Sequence, residues 1–375
     1  MERVIIITHE YFPFPGGIAH YVREMARALA AEGRQVEVWC PSYSGGDAPA
    51  PGCVIVPIPR NRGTQGWRCR CATARLWRQR AGVVRDATVW LAEPGAVLTA
   101  CYGFFLRLPP PRRLIVTLHG SEILNFTRMP HRRVLLNRLL ARASVASVVS
   151  RFARELLLER TTVAAGKVRV IPGALRAELA PRPAADDSLA PPPEDGLTVL
   201  CVARIHPRKG QRVLLEAAAA LPLGLKERTT IRFVGRGVRP RYRAGLEQFA
   251  LANRLRVDFA GEKQGEELRR AYATGTIFAM TSLFMPRSFE SFGMVYLEAS
   301  AHGLPVLAHD TGGVRDAVID GGTGLLVAPG DRRALEVALR RLLESPGLRR
   351  RLGEAGRRHA QQFSWAKNAA ALLAP

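Results

Sequence analysis

The chain has 375 residues, 47% of them hydrophobic, 23% charged and 7% aromatic. That length suits two domains and a sizeable core, and it excludes wholesale disorder and a small disulfide- or zinc-held scaffold. The net charge is +23, and all but five of the 55 basic residues are Arg. Such a field attracts nucleic acid, anionic membranes and phosphorylated small molecules alike, and GC-rich coding would also raise the Arg share.

In chain order, an apolar run from Val4 to Thr8 predicts a first strand, followed by a loop through Pro13, Pro15, Gly16 and Gly17. Val22, Met25, Ala26 and Leu29 recur at helical spacing up to Gly33, and Val36 to Cys40 reads as the next strand, so the chain opens as βαβ. Further strands are predicted at 54–58, 97–100, 114–118, 145–149 and 168–171. Between 181 and 196 the composition turns to Pro, Asp and Glu with almost no core material, which reads as a linker. Alternation then resumes with strands predicted at 198–203, 231–234, 257–260, 277–281, 305–308 and 324–327. Strands alternating with helices predict parallel sheets covered on both faces. The expected division is a first domain over 1–180, a linker over 181–196, a second domain over 197–360 and a tail over 361–375 that can cross back to the first domain. Two such domains facing one another across a cleft would place ligands at the carboxyl ends of their strands.

No stretch approaches 18 consecutive apolar residues, and the residues after Met1 lack the basic lead-in of a signal peptide, so a cytoplasmic protein is expected. Cys40, Cys53, Cys69, Cys71, Cys101 and Cys201 form no C-x-x-C pair and read as free thiols of a reducing compartment.

The residues with chemical potential are few. A helix start is predicted near Gly293, with Glu290 just before it and Glu298 about a turn inside. The unpaired N–H groups of a helix N-terminus suit a phosphate, although spacing alone also allows Glu290 to be a cap and Glu298 to face solvent. Arg204 lies just past a predicted strand and Lys209 on the loop after it, so both could clamp a pyrophosphate; two surface cations would look the same. Gly16 and Gly17 separate a strand from a helix without forming G-x-G-x-x-G, and His119 ends another strand before Gly120.

Taken together, the Gly-Gly loop, His119-Gly120, Arg204 with Lys209-Gly210, and Glu290 with Glu298 resemble the retaining glycosyltransferase family 4. The resemblance extends through Gly303-Leu304-Pro305, Gly312-Gly313 and Gly321 to Gly324 as far as Phe363 to Trp365. It implies the α/β GT-B fold of two Rossmann-like domains and a UDP- or GDP-sugar as donor, with no metal and no other cofactor. It further implies that Arg204 and Lys209 neutralise the diphosphate, that Glu298 holds the ribose hydroxyls and Glu290 the sugar hydroxyls, and that N–H groups from Phe292, Gly293, Met294 and Val295 approach sugar and phosphate. His119 would lie near the sugar, Gly17 under the phosphate, and the base near Gly235 and the turn Gly261-Glu262-Lys263. The sequence departs from the family's pattern in the loop Gly235-Arg236-Gly237, where an acid is usual after the first glycine, in Pro172-Gly173-Ala174, where Asn-Gly is usual, and in Ser291, where Gly is frequent.

One basic segment remains. Between Arg60 and Arg85 there are eight Arg and no acid, with Trp67 and Trp77 interleaved. Trp67, Arg68, Arg70, Trp77, Arg78 and Arg80 are the expected membrane- or acceptor-facing set, cationic toward lipid headgroups with Trp at the boundary. A second basic stretch runs from Arg128 to Arg142 beside Leu135, Leu136, Leu139 and Leu140. A solvated Arg-rich face is the competing reading. The expected activity is sugar transfer from a nucleotide diphosphate sugar to a lipid-linked or polysaccharide acceptor, by a peripheral protein on the inner face of the plasma membrane. A soluble acceptor, an inactive sugar-nucleotide sensor and a nucleic-acid-binding protein are the alternatives; no helix-turn-helix, RNA-recognition or zinc motif accompanies the charge, so nucleic acid is not an expected partner.

Overall fold

The computed structural model describes residues 2–12, 16–42, 50–59, 66–103, 105–181 and 196–375. The Pro13–Pro15 stretch, Arg60, Arg62 and most of the predicted linker lie outside them. The chain divides into two compact units, Met1–Gly173 with Ser364–Pro375, and Ala174–Phe363.

In the first unit, β1 (Arg3–Ile7), β2 (Gln35–Pro41), β3 (Cys53–Ile58), β4 (Thr88–Leu91), β5 (Arg113–Leu118), β6 (Val145–Val148) and β7 (Val168–Val170) form one sheet in the order β3-β2-β1-β4-β5-β6-β7. Every pairing is parallel. The accompanying helices are α1 (Gly17–Ala31), α2 (Trp67–Gln79), α3 (Ala81–Arg85), α4 (Pro94–Cys101), α5 (Ser121–Thr127), α6 (Pro130–Arg142) and α7 (Arg151–Arg160). Val4 to Ile7 are wholly buried, as strands covered on both faces require, and α1 turns Ala19, Val22, Met25, Ala26 and Leu29 inward.

The second unit repeats the plan with β8 (Leu197–Val202), β9 (Thr229–Val234), β10 (Arg256–Gly261), β11 (Ile277–Met280), β12 (Val306–His309) and β13 (Gly324–Val327), ordered β10-β9-β8-β11-β12-β13 and again parallel. Its helices are α8 (Gln211–Ala219), α9 (Leu223–Arg228), α10 (Pro240–Ala252), α11 (Gly265–Ala273), α12 (Met294–Ala301), α13 (Val314–Ala317), α14 (Arg332–Glu344) and α15 (Pro346–Ala360). Both sheets are doubly wound, and the strand order reverses between β1 and β4 in one and between β8 and β11 in the other. Ligand sites of such sheets lie outside the carboxyl ends of the strands at these switch points.

Two expectations are corrected. Residues 97–100 are helical, within α4: Pro94 stands at its first turn, and the Glu93 carboxylate accepts the Gly95 and Ala96 N–H groups. The strand at that point in the sheet is instead β4, four wholly buried residues that an apolar-run reading passes over. Residues 174–180, assigned by sequence to the first domain, belong to the second unit: Leu179 is buried and Arg176 pairs with Glu298.

The last helix, α16 (Trp365–Leu373), belongs to the first unit. Trp365 meets the Tyr21 ring edge-on at 5.5 Å, the Asn368 side-chain amide donates to the Pro172 carbonyl at 2.6 Å, and Arg113 Nη1 donates to the Leu373 carbonyl at 2.6 Å.

Candidate functional site

The loop after β8 is a short 3-10 turn, Pro207–Lys209, capped by His206, whose Nδ1 accepts the Arg208 N–H at 3.1 Å. Gly210 ends it at φ 73°, and a Cβ there would stand 1.8 Å from the Thr281 carbonyl oxygen, so only glycine lets this turn seat against the end of β11. The cation-bearing turn is thereby held beside Ser282 and Glu290. Lys209 Nζ donates to Glu290 Oε2 at 2.6 Å, Ser282 Oγ at 3.0 Å and Arg208 Nη1 at 3.2 Å. All three donors converge on Oε2, and no described residue donates to Oε1.

Burial works to raise the Glu290 carboxyl, but Lys209 and Arg208 overcome it, helped by hydrogen bonds from Lys209 and Ser282, and hold it down to about 2. An ionised carboxylate is acceptor-only, so Glu290 Oε1 can receive hydroxyl donors and cannot supply a proton near neutral pH. The backbone is fixed as firmly. The Glu290 carbonyl accepts the Gly313 N–H at 2.9 Å, and a Cβ on Gly312 would lie 2.3 Å from that same carbonyl oxygen.

Just beyond, α12 begins at Met294 with Gly293 as its cap at φ 83°, and no side chain caps it. Glu290 is therefore no cap, and the first N–H groups of α12 keep their donor capacity. Phe292 is buried, with its ring centroid 5.7 Å from that of Phe363, while Met294 and Val295 are half-buried. Glu298 is only 1% exposed, which corrects the solvent-facing alternative. Its Oε1 accepts from Arg176 Nε at 2.9 Å and its Oε2 from the Tyr272 hydroxyl at 2.7 Å. Gly235 donates its N–H to the Gly261 carbonyl at 2.7 Å, bringing the ends of β9 and β10 together next to exposed Glu262. Lys263 pairs with Glu267 at 3.3 Å.

Arg204 does not reach Glu290; its carbonyl accepts from Gln211 Nε2 at 2.9 Å. The second cation on Glu290 is Arg208, which sequence reasoning passed over because it treated only the two ends of the Arg204–Lys209 interval. The other missed residues are Arg176 and Tyr272, far from Glu298 in sequence and legible only once the chain is folded.

In the first unit, His119 ends β5 and is buried, its Nε2 2.8 Å from the Ala92 carbonyl oxygen. A carbonyl can only accept, so Nε2 carries the proton and Nδ1 is the acceptor. Tyr21 meets the His119 ring edge-on at 5.2 Å, and burial lowers the pKa of the imidazole. Gly17 opens α1 and is exposed.

The basic segment is α2 with α3, and the structure splits the expected set. Trp67 is 64% exposed, and Arg68, Arg75 and Arg78 are exposed with it. Trp77 is 3% exposed and donates from Nε1 to the Pro109 carbonyl at 3.0 Å, so it is core and cannot reach an interface. Arg80 is tied to Glu37 at 2.7 Å and lies over Trp39, and Arg70 is half-buried. Among the described residues no helix is long and apolar enough to cross a membrane, and no cluster of three metal-ligating side chains occurs.

The family description "Glycosyltransferase Family 4" matches residues 15–178, and "Glycosyl transferases group 1" matches 186–359. The D-inositol 3-phosphate glycosyltransferase of Saccharomonospora viridis is 31% identical over 96% of this chain and 88% of its own. The chain belongs to glycosyltransferase family 4. Another relative is the GDP-mannose-dependent alpha-(1-6)-phosphatidylinositol monomannoside mannosyltransferase of Mycolicibacterium smegmatis, 29% identical over 98% of this chain and 97% of its own. Among solved structures, a sucrose-phosphate synthase from Thermosynechococcus elongatus superposes with TM-score 0.80 at 25% identity, covering 98% of this chain and 96% of that one. The family-4 chain is thus a glycosyltransferase of GT-B fold class, as its two Rossmann-like sheets also indicate.

Proposed function

We propose that this enzyme transfers a hexosyl group, with retention of anomeric configuration, from a UDP- or GDP-sugar to an inositol-bearing, lipid-linked acceptor at the cytoplasmic face of the membrane. GDP-mannose is the first donor to test. The observation that carries the reading is the Glu290 cluster: a buried carboxylate kept ionised by Lys209 and Arg208, one oxygen satisfied and the other open, next to the uncapped start of α12. Relatives named for phosphatidylinositol mannosyl transfer over nearly the full chain support the donor and the lipid acceptor.

In this reading Glu290 Oε1 accepts hydroxyls of the sugar, while Lys209, Arg208 and Arg204 face the diphosphate with the α12 N–H groups. Lys209 has three ammonium protons, so it can keep Glu290 and still meet a phosphate oxygen. The bond from the anomeric carbon to the diphosphate oxygen breaks with its electron pair going to the diphosphate. The acceptor hydroxyl bonds the same carbon from the same face, and its proton passes to the departing phosphate oxygen. Rate enhancement then rests on electrostatic stabilisation of the leaving group and on positioning. Glu298 receives the ribose hydroxyls, Gly235 with Glu262 and Lys263 flanks the base, Gly17 lies under the phosphate, and Nδ1 of His119 serves the sugar as an acceptor. Trp67, Arg68, Arg75 and Arg78 meet anionic lipid.

The test is transfer from a panel of nucleotide sugars to phosphatidylinositol in vesicles, with the product anomer read by NMR. A product of inverted configuration overturns retention, and no turnover with any lipid acceptor overturns the lipid assignment. A free inositol phosphate is the second reading, favoured by the Saccharomonospora viridis relative; efficient transfer to inositol 3-phosphate alone would select it.

A further inference from the structure

The segment that follows Gly173 opens the second unit. Arg176, on that segment, is 8% exposed. Its Nε donates to Glu298 Oε1 at 2.9 Å, and its Nη1 lies 3.5 Å from Glu178 Oε1. The other Glu298 oxygen takes the Tyr272 hydroxyl at 2.7 Å. Tyr272 is itself held: its ring stacks on His302 at 5.3 Å and 19°, and His302 Nδ1 is 2.9 Å from the Glu298 carbonyl oxygen. The 3-10 turn Ala177–Leu179 packs on α11, the helix that carries Tyr272.

An ionised carboxylate offers about four lone-pair directions, two on each oxygen. Arg176 and Tyr272 take one on each, which fixes the plane of the carboxylate. Burial disfavours the Glu298 charge, and the guanidinium beside it compensates.

We propose that Arg176, with Tyr272, is a positioning residue for the donor's ribose: it sets the orientation and charge of Glu298, so that the segment following Gly173 forms part of the nucleotide site. This rests on the reading that Glu298 receives the ribose hydroxyls. Arg176 touches no reacting atom, and its effect on the ribose passes through Glu298.

The experiment titrates wild type, Arg176→Gln, Arg176→Lys and Tyr272→Phe with three probes: GDP or UDP, whichever wild type binds, its 2′,3′-dideoxy analogue, and inorganic pyrophosphate. Wild type is expected to prefer the ribonucleotide at least tenfold. Arg176→Gln should reduce that preference to within about twofold, leave pyrophosphate affinity unchanged, and raise the donor KM with little change in kcat. Arg176→Lys recovers part of the preference, and Tyr272→Phe, which removes one neutral donor and alters the shape least, lowers it several-fold. A general structural defect would weaken all three probes together. Wild-type preference in Arg176→Gln overturns the proposal, and should that variant not fold, undiminished preference in Tyr272→Phe overturns it. Absence of any ribose preference in wild type removes the role of Glu298 itself, a distinct failure from loss of the Arg176 assignment.

Discussion

Each sheet carries a buried carboxylate at its switch point, and the two are in opposite electrostatic states. Glu93 follows β4 in the first unit and Glu290 follows β11 in the second, and both side chains are buried. Burial pushes Glu93 up to about 8, because three backbone N–H groups, from His9, Gly95 and Ala96, lower it only in part and Glu10 adds to the rise. Glu290 suffers the same burial yet is held at about 2, because Lys209 and Arg208 stand against it. Burial therefore does not decide the charge of a carboxylate; the presence of a buried cation does.

The surroundings match the difference. Glu93 faces His9 Nδ1 at 3.3 Å, and His9 is pushed down to about 4 by burial and by Arg70. Thr73 Oγ1 donates to the Cys69 carbonyl, so His9 Nε2, 2.8 Å from that hydroxyl oxygen, carries the ring proton and Nδ1 is an acceptor. Both partners are neutral at pH 7. They cap α4 and tie β1 to β4, which is structural work, whereas in the charged Glu290 cluster the described donors all converge on Oε2 and leave Oε1 open.

The largest effect expected is at the cations. Lys209→Ala should lower kcat/KM by on the order of 10²-fold, about 3 kcal/mol of transition-state stabilisation. Arg208→Ala should follow at a smaller loss, and equal activity in a steady-state transfer assay would remove the charge argument for this cluster. Next, Glu290→Gln should lower kcat at nearly unchanged donor KM, and Glu298→Gln should raise KM at nearly unchanged kcat. Identical profiles for the two would dissolve their division of labour.

The pH dependence of stability sharpens the comparison. An unfolded carboxyl titrates near 4.5, so between about 4.5 and about 8 folded Glu93 holds a proton that the unfolded chain has released, and stability falls as pH rises through that window. Glu290 has the opposite sign: its contribution is complete above about 4.5 and is lost as pH falls toward about 2. Glu93→Gln, a close shape match to the neutral acid, should gain a few kcal/mol relative to wild type between pH 5 and pH 8. Melting curves at both pH values check this, and parallel pH profiles would show that Glu93 is charged after all.

Smaller still is the surface term. Replacing Arg68, Arg75 and Arg78 with Gln should release the protein from anionic vesicles, each Arg contributing about 1 kcal/mol, with donor affinity unchanged and high salt mimicking the variant. Wild type that fails to co-sediment at low salt would make α2 a solvated face. The smallest expected effect is none: with side-chain cations against the diphosphate, activity should survive EDTA, and loss restored by magnesium or manganese would overturn that.

Much of the fold was legible because buried parallel strands are short apolar runs punctuated by Gly and Pro. Val4 to Ile7, Ile231 to Val234 and Gly324 to Val327 fall where their runs predict. Residues 97–100 misled because a buried helix segment and a buried strand share that signature, and only the Glu93 cap and Pro94 break the tie. Trp77 misled because a tryptophan among arginines reads as interfacial, while helical phase turns it inward and Trp67 outward.

By itself, the sequence determined the alternating α/β plan, the family resemblance and the position of Glu290 ahead of a helix, since local patterns and spacing carry these. Tertiary structure alone decided that Arg208 joins Lys209 on Glu290 and that Arg176 and Tyr272, 122 and 26 residues before Glu298, close on its two oxygens. It also decided that one buried carboxylate is charged and the other neutral. The reason is physical: the charge of a buried group depends on which cations the fold brings within a few ångströms, and sequence separation does not encode that distance.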